Sequence, residues 1–205
     1  MSRNTKGRAV NAIVKRTAPL AAALLLAGCI SFGPKLPDQL LSLTPVTTAP
    51  AGDLGAGSKL PPLTVLDPES ERVLDVLRVP VQVTPSTIAY LKNAAWIEKP
   101  ARQFRSLLAE TIRAKSGRMV FEGLDGQQAD RAVLTGRLSA MGYDAARGSV
   151  VVRFDALLSQ PGGAVKSKRF EAEVPGVPAE AVAVAPALNK AANDVAAQVA
   201  EWAGP

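Results

Sequence analysis

The chain has 205 residues, 24 Lys and Arg against 18 Asp and Glu, a net charge of +6 and no histidine. The missing histidine excludes Ser-His-Asp and Cys-His catalysis, imidazole proton shuttles and most zinc sites. The charge excess sits at the start: without Arg3, Lys6, Arg8, Lys15 and Arg16 the net charge falls to about +1, which removes the only support for a nucleic-acid partner.

Those five basic residues precede Ala-Pro-Leu-Ala-Ala-Ala-Leu-Leu-Leu-Ala-Gly-Cys at 18–29. A basic start, a short apolar run and a small-residue cleavage site read as a secretory signal. The run is shorter than the ~20 residues a membrane-spanning helix needs. Leu26-Ala27-Gly28-Cys29 resembles a bacterial lipobox, in which the peptide is cut before the Cys and its thiol and new amino group are acylated. Residues 1–28 are then the signal peptide. Cys29 is the only cysteine, and a lone thiol in an oxidising compartment is a liability unless lipid consumes it. The alternatives are an ordinary cleaved signal followed by a free thiol, and an uncleaved anchor. Cleavage leaves 177 residues, enough for one domain with a core.

Residues 29–62 read as a lipidated N-terminus and a tether. Pro34, Pro37, Pro45, Pro50, Pro61 and Pro62 oppose regular helix, and Gly52, Gly55 and Gly57 loosen the chain. Within it Leu40 to Thr44 is apolar enough for a short strand pairing with the domain. Ile30 follows the cysteine where many proteobacterial inner-membrane lipoproteins carry Asp, so sorting to the outer membrane is expected.

The folded domain is expected over 63–205. Leu63 to Leu66 reads as a first strand and Asp67 to Ser70 as a turn. Val73 to Val83 is a β-rich run in which Val79, Val81 and Val83 alternate; Pro80 predicts an edge position or a bulge. Ile88 to Ile97 reads as a strand broken at Lys92-Asn93. Pro100 opens a helix whose Phe104, Leu107, Leu108, Thr111 and Ile112 share one face, with Gly117 as its cap. Arg102, Arg105 and Arg113 lie mostly off that face, either for phosphate or lipid head groups or as a solvated face partly paired with Glu110.

Met119 to Phe121 reads as a short strand, and Gly123 to Asp130 as a polar turn. From Ala132 to Tyr143 the chain alternates, with Val133, Thr135, Arg137, Ser139 and Met141 on one side and Leu134, Leu138 and Gly142 on the other. Val150 to Leu158 and Val165 to Val174, joined through Gln160-Pro161-Gly162-Gly163, complete an antiparallel meander, with Phe170 and Val174 inward and Lys166, Lys168, Glu171 and Glu173 mostly outward. The Ala-rich remainder is helical; Leu188, Ala192, Val195, Val199 and Trp202 form its stripe, and Pro186 marks a kink or a first turn.

Taken together, the lipobox, the apolar Leu40 to Pro45, Tyr90-Leu91 with Ala95-Trp96-Ile97-Glu98-Lys99-Pro100, the amphipathic helix, Tyr143-Asp144-Ala145, the Val150 strand and the Ala-rich last helix resemble the ABC-type transport auxiliary lipoproteins. The resemblance implies an α/β (α+β) fold, an antiparallel-rich sheet with two main helices packed on one face. It implies structural roles for Trp96 and Pro100 at a strand-to-helix junction. It also implies a non-enzymatic, lipid-anchored periplasmic subunit on the inner face of a Gram-negative outer membrane, serving a lipid transporter built on a mammalian-cell-entry (MCE) domain protein. Permease and ATPase would be separate chains, since this one has neither a Walker-type loop nor a membrane span beyond its signal. No cofactor or metal is called for beyond the lipid on Cys29. Homo-oligomerisation stays open. A second reading is an outer-membrane lipoprotein that activates a cell-wall enzyme or helps assemble a surface component. A third is a carboxylate- or Lys-based enzyme, with no pair singled out for it.

Overall fold

The computed structural model describes residues 37–52, 58–123 and 130–204. Among them are eight strands: β1 (Leu63–Val65), β2 (Glu69–Ser70), β3 (Arg78–Thr84), β4 (Thr87–Ala95), β5 (Val120–Glu122), β6 (Ala132–Asp144), β7 (Ser149–Ser159) and β8 (Val165–Pro175). Two helices accompany them, α1 (Pro100–Ser116) and α2 (Ala181–Ala203). Strand β6 organises the sheet. One of its edges pairs with β7 along its length, and β7 pairs with β8, both antiparallel. The other edge is shared end to end by parallel partners: β1 at 132–134, β2 at 137–138 and β3 at 143–144. Strands β5 and β4 then extend the sheet from β1 and β3. The fold is mixed α+β, and the expected meander forms one side of the sheet, running from β6 to the edge strand β8.

Both helices pack on one face of this sheet. Phe104 of α1 meets Phe154 of β7 edge-to-face at 5.3 Å, and Trp202 of α2 meets Phe170 of β8 at 5.5 Å. The helical face read from the sequence, Phe104 through Ile112, is buried throughout. Burying each large apolar side chain contributes ~1.5–3 kcal/mol. Ala187, Ala191, Ala192, Ala196, Ala200 and Ala203 line the buried side of α2, where small side chains let helix and sheet approach closely. Helix α1 starts at Pro100 and stops where Gly117 turns left-handed at φ 61°, its N–H donating to the Arg113 carbonyl.

Several expectations change in detail. Glu69–Ser70, read as turn, forms the short strand β2 on β6. The run from Val73 begins as a turn, with Leu74 N–H donating to Glu71 O at 2.8 Å; it becomes a strand only at Arg78. Pro80 lies in an interior strand, so the edge option fails and the bulge option holds. Register jumps from Arg78↔Ala95 to Pro80↔Tyr90, and the surplus on β4 loops out around Asn93, whose φ is 54°. The predicted break at Lys92-Asn93 is therefore a bulge of three extra residues inside a continuous strand.

A second bulge, at Ser139 of β6, corrects the alternation. Before it the even residues Leu134 and Leu138 face the core; after it Met141 and Tyr143 do. One inserted residue reverses the facing of everything beyond it, because side chains alternate with period two. Lys166 and Lys168, expected opposite Phe170, share its parity on β8 but are exposed, with the Lys168 ammonium over the Phe170 ring at 5.1 Å. Pro186 does not mark the first turn, because α2 begins five residues earlier at Ala181 and carries the proline inside the helix.

Candidate functional site

Cys29, the residue with the clearest chemistry in the sequence, lies outside the described residues. The two structural residues of the resemblance do lie together. Trp96 follows β4 and is 2% exposed, and Pro100 opens α1 four residues on. The backbone N–H of Trp96 donates to Leu77 O at 3.0 Å, and Trp96 forms a parallel bridge with Leu41. Leu41 N–H donates to Ala95 O at 2.7 Å, and Ile97 N–H donates to Leu41 O at 2.9 Å. The expected strand at Leu40–Thr44 is thus a single bridge, built on the Trp96 junction.

Beyond that bridge the chain is strapped along both helices by polar side chains. Gln103 of α1 accepts Leu43 N–H at 2.9 Å, and its amide donates to Glu98 O at 2.7 Å. Asn189 of α2 accepts Thr44 N–H at 2.8 Å. Asn193 accepts Val46 N–H at 2.9 Å and donates to Thr44 O at 2.9 Å and Asn189 O at 2.8 Å. Glu110 accepts Ala49 N–H at 2.7 Å. A segment with prolines at 45 and 50 cannot join a sheet ladder, so side chains take over its backbone partners. Gln103, Asn189 and Asn193 escaped the sequence reading. The available signal was Asn at positions i and i+4 of an Ala-rich helical stretch.

The arginine row is occupied. Arg105 pairs with Asp67 at 2.8 Å and Glu122 at 3.3 Å, Arg102 with Glu98 at 3.3 Å, and Arg113 with Glu110. The paired-face reading therefore holds over the phosphate-contact one. Tyr143, Asp144 and Ala145 also serve the fold. The Tyr143 hydroxyl donates to Val177 O at 2.8 Å, Asp144 accepts the N–H groups of Ala146 and Arg147 at 3.0 and 3.2 Å, and Ala145 N–H donates to Gln82 O at 2.9 Å.

On the face of the sheet away from the helices, an open cleft of about 270 Å³ lies over Pro80, Gly142 and Val151, rimmed by Glu71, Arg147 and Arg153. Its arginines are engaged: Arg153 binds Glu171, and Arg147 lies 3.7 Å from Asp144 and 3.5 Å from Glu173. Farther along, Arg169 pairs with Asp155, and that hydrogen bond, above all, holds the Asp155 carboxyl below the usual carboxylate range. This face is a ladder of cross-strand ion pairs. Among the described residues no group of three or more Cys, Asp or Glu is placed to hold a metal, and no helix is long and apolar enough to cross a membrane.

The family model described as ABC-type transport auxiliary lipoprotein component matches residues 41–200. No curated protein matches the sequence. Among solved structures, the fold is similar to a crystal structure of an uncharacterized protein (TM-score 0.63, 16% identity, covering 81% of this chain and 100% of that one). It is equally similar to a DUF330 protein from Xanthomonas campestris (TM-score 0.63, 22% identity, 80% and 94% covered). Both likenesses concern the fold.

Proposed function

Because the chain belongs to the family of ABC-type transport auxiliary lipoprotein components, we propose that it is a non-enzymatic, lipid-anchored periplasmic subunit of an MCE-type envelope lipid transporter. The observation that carries this is the extent of the match. It runs from Leu41, the bridge residue at Trp96, to Ala200 in the last turns of α2, and so takes in nearly the whole folded unit. Cys29 carries the lipid, and with Ile30 after it the anchor sits in the outer membrane. The MCE-domain protein, permease and ATPase are separate chains. The domain holds the periplasmic end of that assembly at the outer membrane, using surface contacts in place of chemistry.

The test is crosslinking of the native protein in its own envelope, followed by affinity purification and mass spectrometry. Recovery of an MCE-domain protein with its permease or ATPase supports the proposal. Recovery of a cell-wall synthase without transporter subunits refutes it in favour of an activator of cell-wall synthesis. The anchor has its own test. The peptide beginning at Cys29 should carry the mass of its acyl groups, and Cys29→Ala should leave the domain folded and out of the membrane fraction.

A further inference from the structure

The chain reaches the folded unit at one end of the helix pair. After the Leu41 bridge it meets Gln103 before Glu110 on α1, and Asn189 before Asn193 on α2. It therefore follows both helices from their N-terminal ends towards their C-terminal ends. Leu41 and Trp96 point their side chains into the core, so their neighbours Leu40 and Ile97 point out. Leu40 is 42% exposed and Ile97 61% exposed. Val182, in the first turn of α2 and 79% exposed, lines a recess with Leu40, Ala185 and Pro186. Ile97 lines a neighbouring recess with Leu43 and Pro45, and Ser42 borders both. Scattered exposed apolar residues are ordinary. These are gathered around the point where the chain arrives.

We infer that this end of the domain is a membrane-docking face, with Leu40, Ile97 and Val182 resting at the headgroup boundary of the bilayer. The inference rests on the reading of Cys29 as the lipidated residue. Leu40 lies eleven residue steps after Cys29. Even at full extension the chain spans at most about 36–40 Å over that distance. The anchor therefore keeps Leu40 near the lipid, while the far end of α2, 23 residues long, lies about 35 Å further along the helix. The basic residues at the start of α1 are already paired, Lys99 with Asp75 at 2.7 Å and Arg102 with Glu98 at 3.3 Å, and Asp38 and Glu180, close in sequence to Leu40 and Val182, are acidic and add no attraction to anionic headgroups. The contact is thus apolar, and salt should affect it little.

The test places a tryptophan reporter at each end of the full-length protein purified from its envelope. Ile97→Trp reports on the docking face. Met119→Trp reports just past the C-terminal cap of α1, at a residue 43% exposed. Each variant is reconstituted into vesicles of phosphatidylethanolamine and phosphatidylglycerol with brominated acyl chains. The added Ile97→Trp emission should be lost to bromine, equally at low and high salt, while the Met119→Trp emission survives. Adding Leu40→Asp and Val182→Asp to Ile97→Trp should restore the emission with the protein still anchored and its circular dichroism unchanged. Anchored protein whose Ile97→Trp emission is unquenched, or quenched no more than that of Met119→Trp, overturns the inference alone and leaves the patch to a protein partner. Protein that does not stay with the vesicles overturns the anchor reading and the inference with it.

Discussion

Asn193→Ala isolates the strap. The Asn193 carboxamide makes two hydrogen bonds to residues 44–46, one from Val46 N–H and one to Thr44 O, both at 2.9 Å. Each contributes ~0.5–1.5 kcal/mol net, so the variant should weaken strap docking by about 1–3 kcal/mol. The opening equilibrium of the strap then rises roughly 5- to 150-fold, at ~1.4 kcal/mol per factor of ten. Global stability should change little. The freed backbone groups can meet water, and Ala gains up to ~0.7 kcal/mol of helix propensity over Asn. Native-state amide hydrogen exchange separates the two effects. Thr44 and Val46 amides should exchange faster by that factor, while amides of β7 in the core keep their wild-type rates. Asn189→Ala, which removes one bond, should give about half the effect in free energy. Unchanged exchange at Thr44 and Val46 in Asn193→Ala would refute the claim that these side chains hold the strap.

Arg118 is 1% exposed and binds backbone carbonyls at both ends of the fold, Pro61 O before β1 and Ala203 O at 3.2 Å at the end of α2. Burial pulls its guanidinium below the ordinary value, yet an arginine remains charged at neutral pH. Arg118→Met should lower unfolding free energy by about 1–3 kcal/mol by orphaning those acceptors; a more stable variant in urea titration would mean that desolvation outweighs the bonds. Gly136 has φ 154°, and a Cβ there would lie 2.1 Å from Asp155 O and 2.9 Å from the Phe154 ring. Gly136→Ala should cost about 2–6 kcal/mol from strain and overpacking, and a melting temperature equal to wild type would contradict that geometry. The depressed Asp155 carboxyl contributes stability that is present above its unfolded value, near pH 3.9, and is lost as pH falls through the lower folded value. Asp155→Asn should therefore flatten the acid limb of a melting-temperature profile from pH 7 to pH 2, and identical profiles would remove the Arg169 pairing as its cause.

The order of elements was legible because its signals are local. Pro100 and Gly117 bracket a helix whose apolar face has a 3.6-residue period, and Gln160-Pro161-Gly162-Gly163 joins two alternating strands. The expectations of a signal peptide and of lipid on Cys29 rest on the same kind of local pattern, residue type within a dozen positions. What the chain could not disclose was pairing at a distance. Nothing near Ser139 marks the bulge that turns Met141 inward; it exists because β6 must match β7 on one edge and three successive short partners on the other. Pro80 announced a bulge or an edge, and only its neighbours β4 and β6 decide between them. The arginines of α1 looked available until Asp67 and Glu122 arrived from other elements. Asn189 and Asn193 looked like minor interruptions of an Ala-rich helix, and became the clamp for a segment about 145 residues earlier only once folding laid that segment across them. Local propensity and period determine which elements form. Which polar groups remain free, and which apolar side chains gather where the chain enters the folded unit, is set by long-range contacts whose partners are chosen by the whole fold.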